Sequence, residues 1–201
     1  KRLRREIVSK VGAIYHRSPI GPFPVAARAE GITIAGPKDI RHSINQPKFE
    51  AVRAVDWLTD QDLVVVEGQK VFPLRIVAKH DIVNYEGGAV VFCGLCGTAM
   101  AFDRRVDGHT AELGVSGLLV HGNELISYDR KRKGSLYYLT GESLNGHRGE
   151  NREDLQLLGA DMMQWREVRM IPGSENFEVL SRNTGFRFKY NQPFTQETLS
   201  F

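Results

Sequence analysis

The sequence predicts a mainly β fold, α+β at the margin: a single antiparallel sheet, sandwich or barrel-like domain with an extended N-terminal arm. Three observations lead to this prediction. Short runs of β-branched and aromatic residues recur from Leu63 onward, turns that contain glycine separate most of them, and long helical patterns are scarce. A chain of 201 residues is long enough for one large domain of this kind.

The predicted elements follow one another closely along the chain. The runs 63–66 and 71–77 flank a turn at 67–70 and predict a hairpin. Further strands are expected at 89–92, 98–102, 110–120, 124–129, 135–139 and 177–190. Helices are expected only at 50–58, with Trp57 on an apolar face, and near 152–170, around Trp165.

Composition divides the chain into three parts. Residues 1–36 are basic at the start and contain Pro19, Pro22 and Pro24, which predict an extended arm. Residues 37–190 form the β-rich domain, and 191–201 form a C-terminal tail. We expect any protein partners to bind through the arm and the tail.

Several classes of function are disfavoured by the sequence. The net charge of +3 is small and scattered, so no nucleic-acid binding is expected. No apolar stretch within these residues approaches the length of a membrane span. No phosphate-binding loop, dinucleotide fingerprint or haem-attachment motif occurs, so neither a nucleotide nor a covalent haem is expected.

The strongest chemical signal is the pair of cysteines, which lie three residues apart in Cys93-Gly94-Leu95-Cys96-Gly97. One interpretation is a reversible redox pair, although the strand-like residues after Gly97 do not continue as the helix of a thioredoxin-type site. The other is a tight turn that points both sulfurs at one ion, with Gly97 supplying the unusual backbone angles. Two sulfurs alone leave coordination positions open, so further ligands are needed for a closed site.

His80 is the candidate third ligand. A hairpin that turns near Gly87 would place His80 opposite Cys93 or Gly94, on the same face of the sheet. Such a thiolate–imidazole set suits copper before zinc, because soft sulfur favours Cu(I). Asp81 or Asn84 would then orient the imidazole ring.

Other polar and glycine motifs predict structure rather than chemistry. The segment with Gly114, Ser116 and Gly117 lacks the spacing of a nucleophile elbow and is expected to form a turn or a close backbone approach. A set of charged residues at strand ends is expected to form ion pairs that fix the sheet: Asp103, Arg104, Asp129 and Arg130.

Taken in order, a series of motifs resembles the domain-of-unknown-function 3179 family of bacteria and archaea over roughly residues 37–182. It comprises Pro37-Lys38-Asp39, Asn45-Gln46-Pro47-Lys48-Phe49, Asp56-Trp57-Leu58, Phe72-Pro73-Leu74-Arg75-Ile76, His80-Asp81-Ile82-Val83-Asn84, Cys93-Gly94-Leu95-Cys96-Gly97, Phe102-Asp103-Arg104, Gly114-Val115-Ser116-Gly117-Leu118-Leu119, Tyr128-Asp129-Arg130, Gly134-Ser135-Leu136 and Thr140-Gly141.

The resemblance implies that His80, Cys93 and Cys96 belong to the family pattern. It also implies a home outside the cytoplasm, whether periplasmic, extracellular or membrane-anchored, because members often carry signal or lipoprotein sequences. An upstream signal is not visible in these residues. The chain departs from the pattern at Gly94, where the family usually has Pro, and at Tyr85, where it usually has Asp.

Three functional hypotheses follow. The first is a copper- or zinc-binding domain in metal handling or redox, using Cys93, Cys96 and His80. The second is a metal-free redox protein, in which the two thiols cycle between the thiol and the disulfide form. The third is a non-catalytic subunit of a larger assembly, docked through its arm (18–47) and tail (190–201). Whether the protein is an enzyme is left open.

Overall fold

The computed structural model describes residues 31–132, 135–144 and 154–199. Most of its regular structure is strand, in antiparallel and mixed sheets with few and short helices. The prediction of a β-rich domain is therefore confirmed, and none of the described sheets closes into a barrel. Residues 1–30 of the predicted arm lie outside the described residues.

Fifteen strands can be followed in the described part of the chain. They are β1 (Ile32–Ile34), β2 (Phe49–Ala51), β3 (Leu63–Glu67), β4 (Lys70–Pro73), β5 (Ile82–Asn84), β6 (Gly88–Cys93), β7 (Thr98–Asp103), β8 (Arg105–Val106), β9 (His109–Thr110), β10 (Leu113–Val120), β11 (Glu124–Asp129), β12 (Leu136–Tyr137), β13 (Gln156–Leu158), β14 (Ala160–Gln164) and β15 (Glu178–Leu180).

The described helices are short. They are α1 (Leu74–His80), α2 (Trp165–Val168) and α3 (Gln196–Leu199), with 3-10 turns at Val52–Ala54 and Ser174–Asn176. Within the described residues, no helix is both long enough and apolar enough to cross a membrane.

The strands form three main sheets and one small ribbon. The first sheet has the order β1-β10-β11-β12, the second β13-β7-β6-β5, and the third β14-β3-β4-β15-β2. All neighbouring strands in these sheets are antiparallel except β4 and β15, which run parallel. The ribbon β8-β9 follows the end of β7.

Helix α1 joins the second and third sheets and is buried along most of its length. It begins directly after Pro73, whose fixed φ suits the entry to a helix. Its residues Leu74, Ile76 and Val77 are fully buried in the largest apolar cluster that the described residues form. The helix ends at His80, and the amide of the next residue, Asp81, donates to the carbonyl of Val77.

A buried ion pair ties α1 to the start of the third sheet. Arg75 Nε donates to Asp62 Oδ1 at 2.9 Å, and the second guanidinium nitrogen contacts the other carboxylate oxygen. Asp62 also accepts from the amides of Thr59 and Phe194. Further hydrogen bonds of this kind help to offset the cost of removing both charges from water.

Several predicted elements differ in the structure. Residues 74–77 belong to α1 rather than to the predicted strand 71–77. The predicted helix 50–58 is wrong: residues 49–51 form an edge strand and 52–54 a 3-10 turn. The predicted helix 152–170 is also wrong over its described part, where β13 and β14 precede the four-residue helix α2. The predicted strand 177–190 shortens to β15.

The two ends of the described chain both pack on the domain. Ile32–Ile34, at the end of the predicted arm, pair with β10. In the predicted tail, the carbonyl of Phe194 accepts from the amide of Leu63, and its ring lies edge-on to Phe92, with 5.8 Å between centroids. Part of the predicted tail thus packs against this domain.

Candidate functional site

The cysteines occupy the turn between β6 and β7. Cys93 is the last residue of β6 and pairs with Thr98, so residues 94–97 form the loop of the hairpin. Gly97 has a φ of +63°, a conformation that favours glycine. Cys93 is buried and Cys96 is exposed, and both are free thiols. The loop leads straight into strand β7.

The two thiols differ in their surroundings. Cys93 Sγ donates to the carbonyl of Asn123 in the β10–β11 turn at 3.2 Å. Cys96 Sγ donates back to the carbonyl of Cys93 at 3.7 Å. Partial burial, together with the hydrogen bond and charge of Cys93, raises the pKa of Cys96 to about 11. The Cys96 thiol therefore keeps its proton at neutral pH.

His80 lies at the end of α1 and not on the strand that pairs with β6. Its Nδ1 is 2.6 Å from the carbonyl oxygen of His42, and its Nε2 is 2.7 Å from the Tyr190 hydroxyl. The ring packs against Phe186 and Phe188 at centroid distances of 4.9 and 5.2 Å. Burial lowers its pKa, so the ring is neutral at pH 7.

This placement corrects the expected pairing of His80 with Cys93 or Gly94. The hairpin does turn next to Gly87, and Ile82 pairs with Val91. The pairing does not extend to His80, because Asp81 has a φ of +59° and the residues before it are helical. Within the described ranges, no group of three or more His, Cys, Asp or Glu side chains is arranged to hold a metal ion. A shared ion between His80 and the cysteines stays a prediction.

Asp81 and Asn84 have partners other than the His80 ring. Asn84 is buried and joins β5 to β10: its amide donates to the Leu113 carbonyl, and its oxygen accepts from the Leu113 amide. Asp81 Oδ1 lies 3.2 Å from the Arg41 guanidinium. Burial raises the pKa of Asp81 to about 6, and the nearby positive charge of Arg41 only partly offsets that effect.

A cavity of 530 Å³ lies beside the cysteine turn. Its wall is formed by segment 35–41, the end of α1, the cysteine turn, the middle of β10 and the C-terminal residues 194–199. Most lining side chains are apolar, including the exposed Ile40 and Leu95. Arg41 and Asp81 are the charged residues among them. Sequence analysis missed both Arg41 and the cavity, because forty residues separate Arg41 from Asp81 and no local pattern connects them.

The strand that contains Ser116 is irregular, and its Gly117 forms part of the cavity wall. The register of β10 against β11 shifts between Val115 and Leu119, which marks a bulge. Gly117 has a φ of +78° and lies directly against the Gly36 carbonyl. Ser116 Oγ donates to the carbonyl of Ile126 at 2.5 Å. Gly114 lies beneath the Tyr128 ring, where a Cβ would collide with it.

The charged residues predicted to form ion pairs have varied partners. Asp103 pairs with Arg105, and Arg130 with Asp39 at 2.5 Å. Asp129 is buried and lies 2.7 Å from His109 Nε2. The structure differs from the prediction at Arg104, which is buried and donates to backbone carbonyls instead of a carboxylate: those of Gly88, Ala111 and Tyr85.

Comparison with known proteins identifies a family. A family model described as "Protein of unknown function (DUF3179)" matches residues 39–198, which is most of the chain. The chain belongs to the DUF3179 family. The DUF3179 match includes the cysteine turn, the end of α1 and most of the cavity wall. Neither the search of curated proteins nor the search of solved structures found a match.

Proposed function

We propose that this DUF3179 protein performs thiol–disulfide exchange through Cys93 and Cys96, and that it does so outside the cytoplasm. The observation that supports the exchange is the arrangement of the pair: two free thiols at the ends of one tight turn, one buried and one exposed. The location rests on the family resemblance, and oxidising surroundings are where such disulfides persist.

The asymmetry of the pair assigns a role to each sulfur. In the oxidised protein, a partner thiolate attacks the exposed Sγ of Cys96, the S–S bond breaks and Cys93 leaves as the thiolate. A second partner thiolate then attacks the partner's own sulfur in the mixed disulfide and releases Cys96. The partner thus loses two electrons and forms a disulfide, while the pair gains two electrons and two protons. The high pKa of Cys96 makes this thiol a poor attacking group in the reduced protein at neutral pH.

A second candidate function is binding of copper, before zinc, by the same two sulfurs. It is favoured by the placement of both thiols in one turn that reaches the surface, since soft sulfur ligands suit Cu(I). For His80 to join them, one ring nitrogen would have to leave its present partner, which is the His42 carbonyl for Nδ1 and the Tyr190 hydroxyl for Nε2. The non-catalytic subunit is the outcome if neither sulfur chemistry is found.

Thiol counting in redox buffers tests the proposal. The reduced protein is equilibrated with glutathione buffers of graded potential, alkylated and weighed by mass spectrometry. We expect a single two-electron transition that joins Cys93 to Cys96 within one chain. Cys93→Ser and Cys96→Ser each abolish it. Gly94→Ala is the matched control, because a Cβ there meets only the Phe92 ring, at 3.8 Å.

Two results would contradict thiol exchange. One is a pair that stays reduced in the most oxidising buffer, and the other is oxidation that only links separate chains. Addition of Cu(I) to the same anaerobic protein tests the second candidate. One copper per chain, retained against a competing chelator and lost in Cys96→Ser, would favour metal binding instead.

A further inference from the structure

The cavity beside the cysteine turn has the size of a small-molecule site. Its 530 Å³ falls within the range of typical ligand pockets and exceeds the volume of any single side chain. Two of the exposed large apolar side chains, Ile40 and Leu95, lie on its wall, 59% and 54% exposed. Exposed apolar groups next to a preformed cavity favour an apolar ligand.

The charges on the wall favour a neutral ligand. Among the residues that line the cavity, the positive charge of Arg41 is balanced by the carboxylate of Asp81. An anion would gain little from a pair with no net charge. Arg41 uses one guanidinium nitrogen for Asp81 and the Ala78 carbonyl, and its half-exposed side chain carries further N–H groups that can donate to a ligand oxygen.

The backbone at Asp81, which forms the ion pair with Arg41, has an unusual conformation. Asp81 has a φ of +59° and a ψ of −32°, which non-glycine residues rarely adopt. Its carbonyl accepts from the amide of Phe92, the residue before Cys93. Backbone strain of this kind persists where the surrounding structure enforces it, and it concentrates at functional sites. The hydrogen bond between Asp81 and Phe92 therefore links the Arg41–Asp81 pair to the residue that precedes Cys93.

We infer that this cavity binds a neutral, apolar carbonyl compound of the quinone type, and that the bound quinone accepts two electrons from Cys93 and Cys96. An apolar ring fits the lining, and a carbonyl oxygen accepts from Arg41. The cysteine turn forms part of the wall through Cys93, Gly94 and Leu95, so a bound molecule lies next to Cys93, the first residue of the pair.

The electron-transfer half of this inference rests on the proposed dithiol function. In that step two S–H bonds break and one S–S bond forms. The dithiol is oxidised, and two electrons and two protons pass to the carbonyl oxygens of the quinone, which becomes a hydroquinone. The binding half requires no sulfur and can be measured without it.

The probe is duroquinone, a neutral benzoquinone whose four ring positions carry methyl groups. Binding is measured by equilibrium dialysis on the Cys93→Ser, Cys96→Ser double variant, where no thiol can react. We expect saturable binding of one molecule per chain. Ala78→Phe, which fills the cavity, should weaken it at least tenfold, whereas Ala51→Phe makes the same change at an exposed position outside the cavity and should not.

A second pair of variants tests the site in case Ala78→Phe does not fold. Leu95→Ser removes an exposed apolar group from the wall, and Leu157→Ser is its matched control, since Leu157 is 55% exposed and lies outside the cavity. The first should weaken binding several-fold and the second should leave it unchanged. The wild-type reduced protein should yield one hydroquinone per chain as its two thiols disappear.

The inference is overturned by any of three results: no saturable binding to the double variant, binding that Ala78→Phe and Leu95→Ser leave intact, or binding to the wild type without loss of thiols. Glutathione titration of the same wild-type sample separates the two claims. A pair that oxidises normally in glutathione while duroquinone does not bind refutes the quinone site and leaves the exchange function standing.

Discussion

Two desolvated aspartates have pKa shifts of opposite sign. Burial opposes ionisation of Asp62, but hydrogen bonds from Arg75, Phe194 and Thr59 outweigh it and hold the pKa of that carboxyl below its usual range. Asp81 is desolvated as well, yet Arg41 alone supports its charge, so its pKa rises to about 6. The hydrogen bonds that each carboxylate accepts therefore outweigh desolvation at Asp62 but not at Asp81.

Substitution of Asp81 by Asn should remove a pH dependence of stability. Because the pKa of Asp81 is higher in the folded than in the unfolded chain, its ionisation should lower the free energy of unfolding as pH rises from about 4 to about 6. Asn keeps the shape and tolerates the positive φ. Urea unfolding at pH 4.5 and 7 should therefore show Asp81→Asn gaining stability over wild type only at the higher pH.

The exposed Asp161 of β14 supplies the control for this experiment, and Asp161→Asn should follow the wild-type pH profile. An Asp81→Asn protein whose stability falls between the two pH values as much as that of the wild type would show that another group governs this range.

At the scale of the element, the bulge in β10 is defined by a contact that only glycine permits. A Cβ on Gly117 would lie against the Gly36 carbonyl and 2.9 Å from the Pro37 carbonyl oxygen, in addition to the strain of its φ of +78°. Gly68 in the β3–β4 turn has a φ of +56° and no heavy atom within 4 Å of such a Cβ. A side chain at Gly68 would therefore meet backbone strain alone, whereas one at Gly117 would meet both strain and a steric clash.

Gly68→Ala should cost about 1 kcal/mol of unfolding free energy, from the backbone alone. Gly117→Ala should cost more, on the order of 3 kcal/mol, because segment 35–39 must also move. Urea denaturation of both variants measures the difference. Equal losses would mean that segment 35–39 yields freely and that the close approach does not constrain the strand.

Local sequence patterns correctly predicted strands that pair with the next strand along the chain. They failed for strands whose partners are distant in the sequence. The residues of β6, β7 and β11 alternate or run apolar between clear turns, and they were predicted within one or two positions. Residues 49–51 resemble a helix start but pair with β15, and Gln156–Leu158 pair with β7. An edge strand gains its backbone hydrogen bonds from a partner that a sequence window does not contain.

The candidate site divides in the same way. The cysteine turn is local and could be predicted from its spacing. The environment of His80 could not, because the Tyr190 hydroxyl and the His42 carbonyl come from segments 110 and 38 residues away. The β-branched run before His80 favoured a strand, but the residues after Pro73 form a helix that is buried along most of its length.

At the scale of the whole molecule, the third sheet depends on residues from both ends of the domain. Lys70 pairs with Glu178 in the parallel register, and Phe49 pairs with Leu180. Phe194 then caps the Asp62–Arg75 pair through its amide, 2.9 Å from Asp62 Oδ1. The segment after residue 190 therefore contributes to the core and to the buried charge pair together.

Phe194→Ala should lower stability by about 2 kcal/mol, because a partly buried ring leaves its contact with Phe92. In a domain of this size that corresponds to a fall of about 4–8 °C in the melting midpoint, measured by circular dichroism. Met170→Ala is the control, since Met170 is 79% exposed. Equal midpoints for the two variants would show that the C-terminal segment adds nothing to the core.

The pairing of β15 with β2 and β4 also sets an order of events during synthesis. A nascent chain that has emerged only as far as residue 170 contains β2 and β4 but not the strand that joins them. The third sheet then has an unpaired edge, which is a hazard for association with other chains. Completion of this domain must wait until translation has passed β15, so we expect chaperones to protect the chain up to that point.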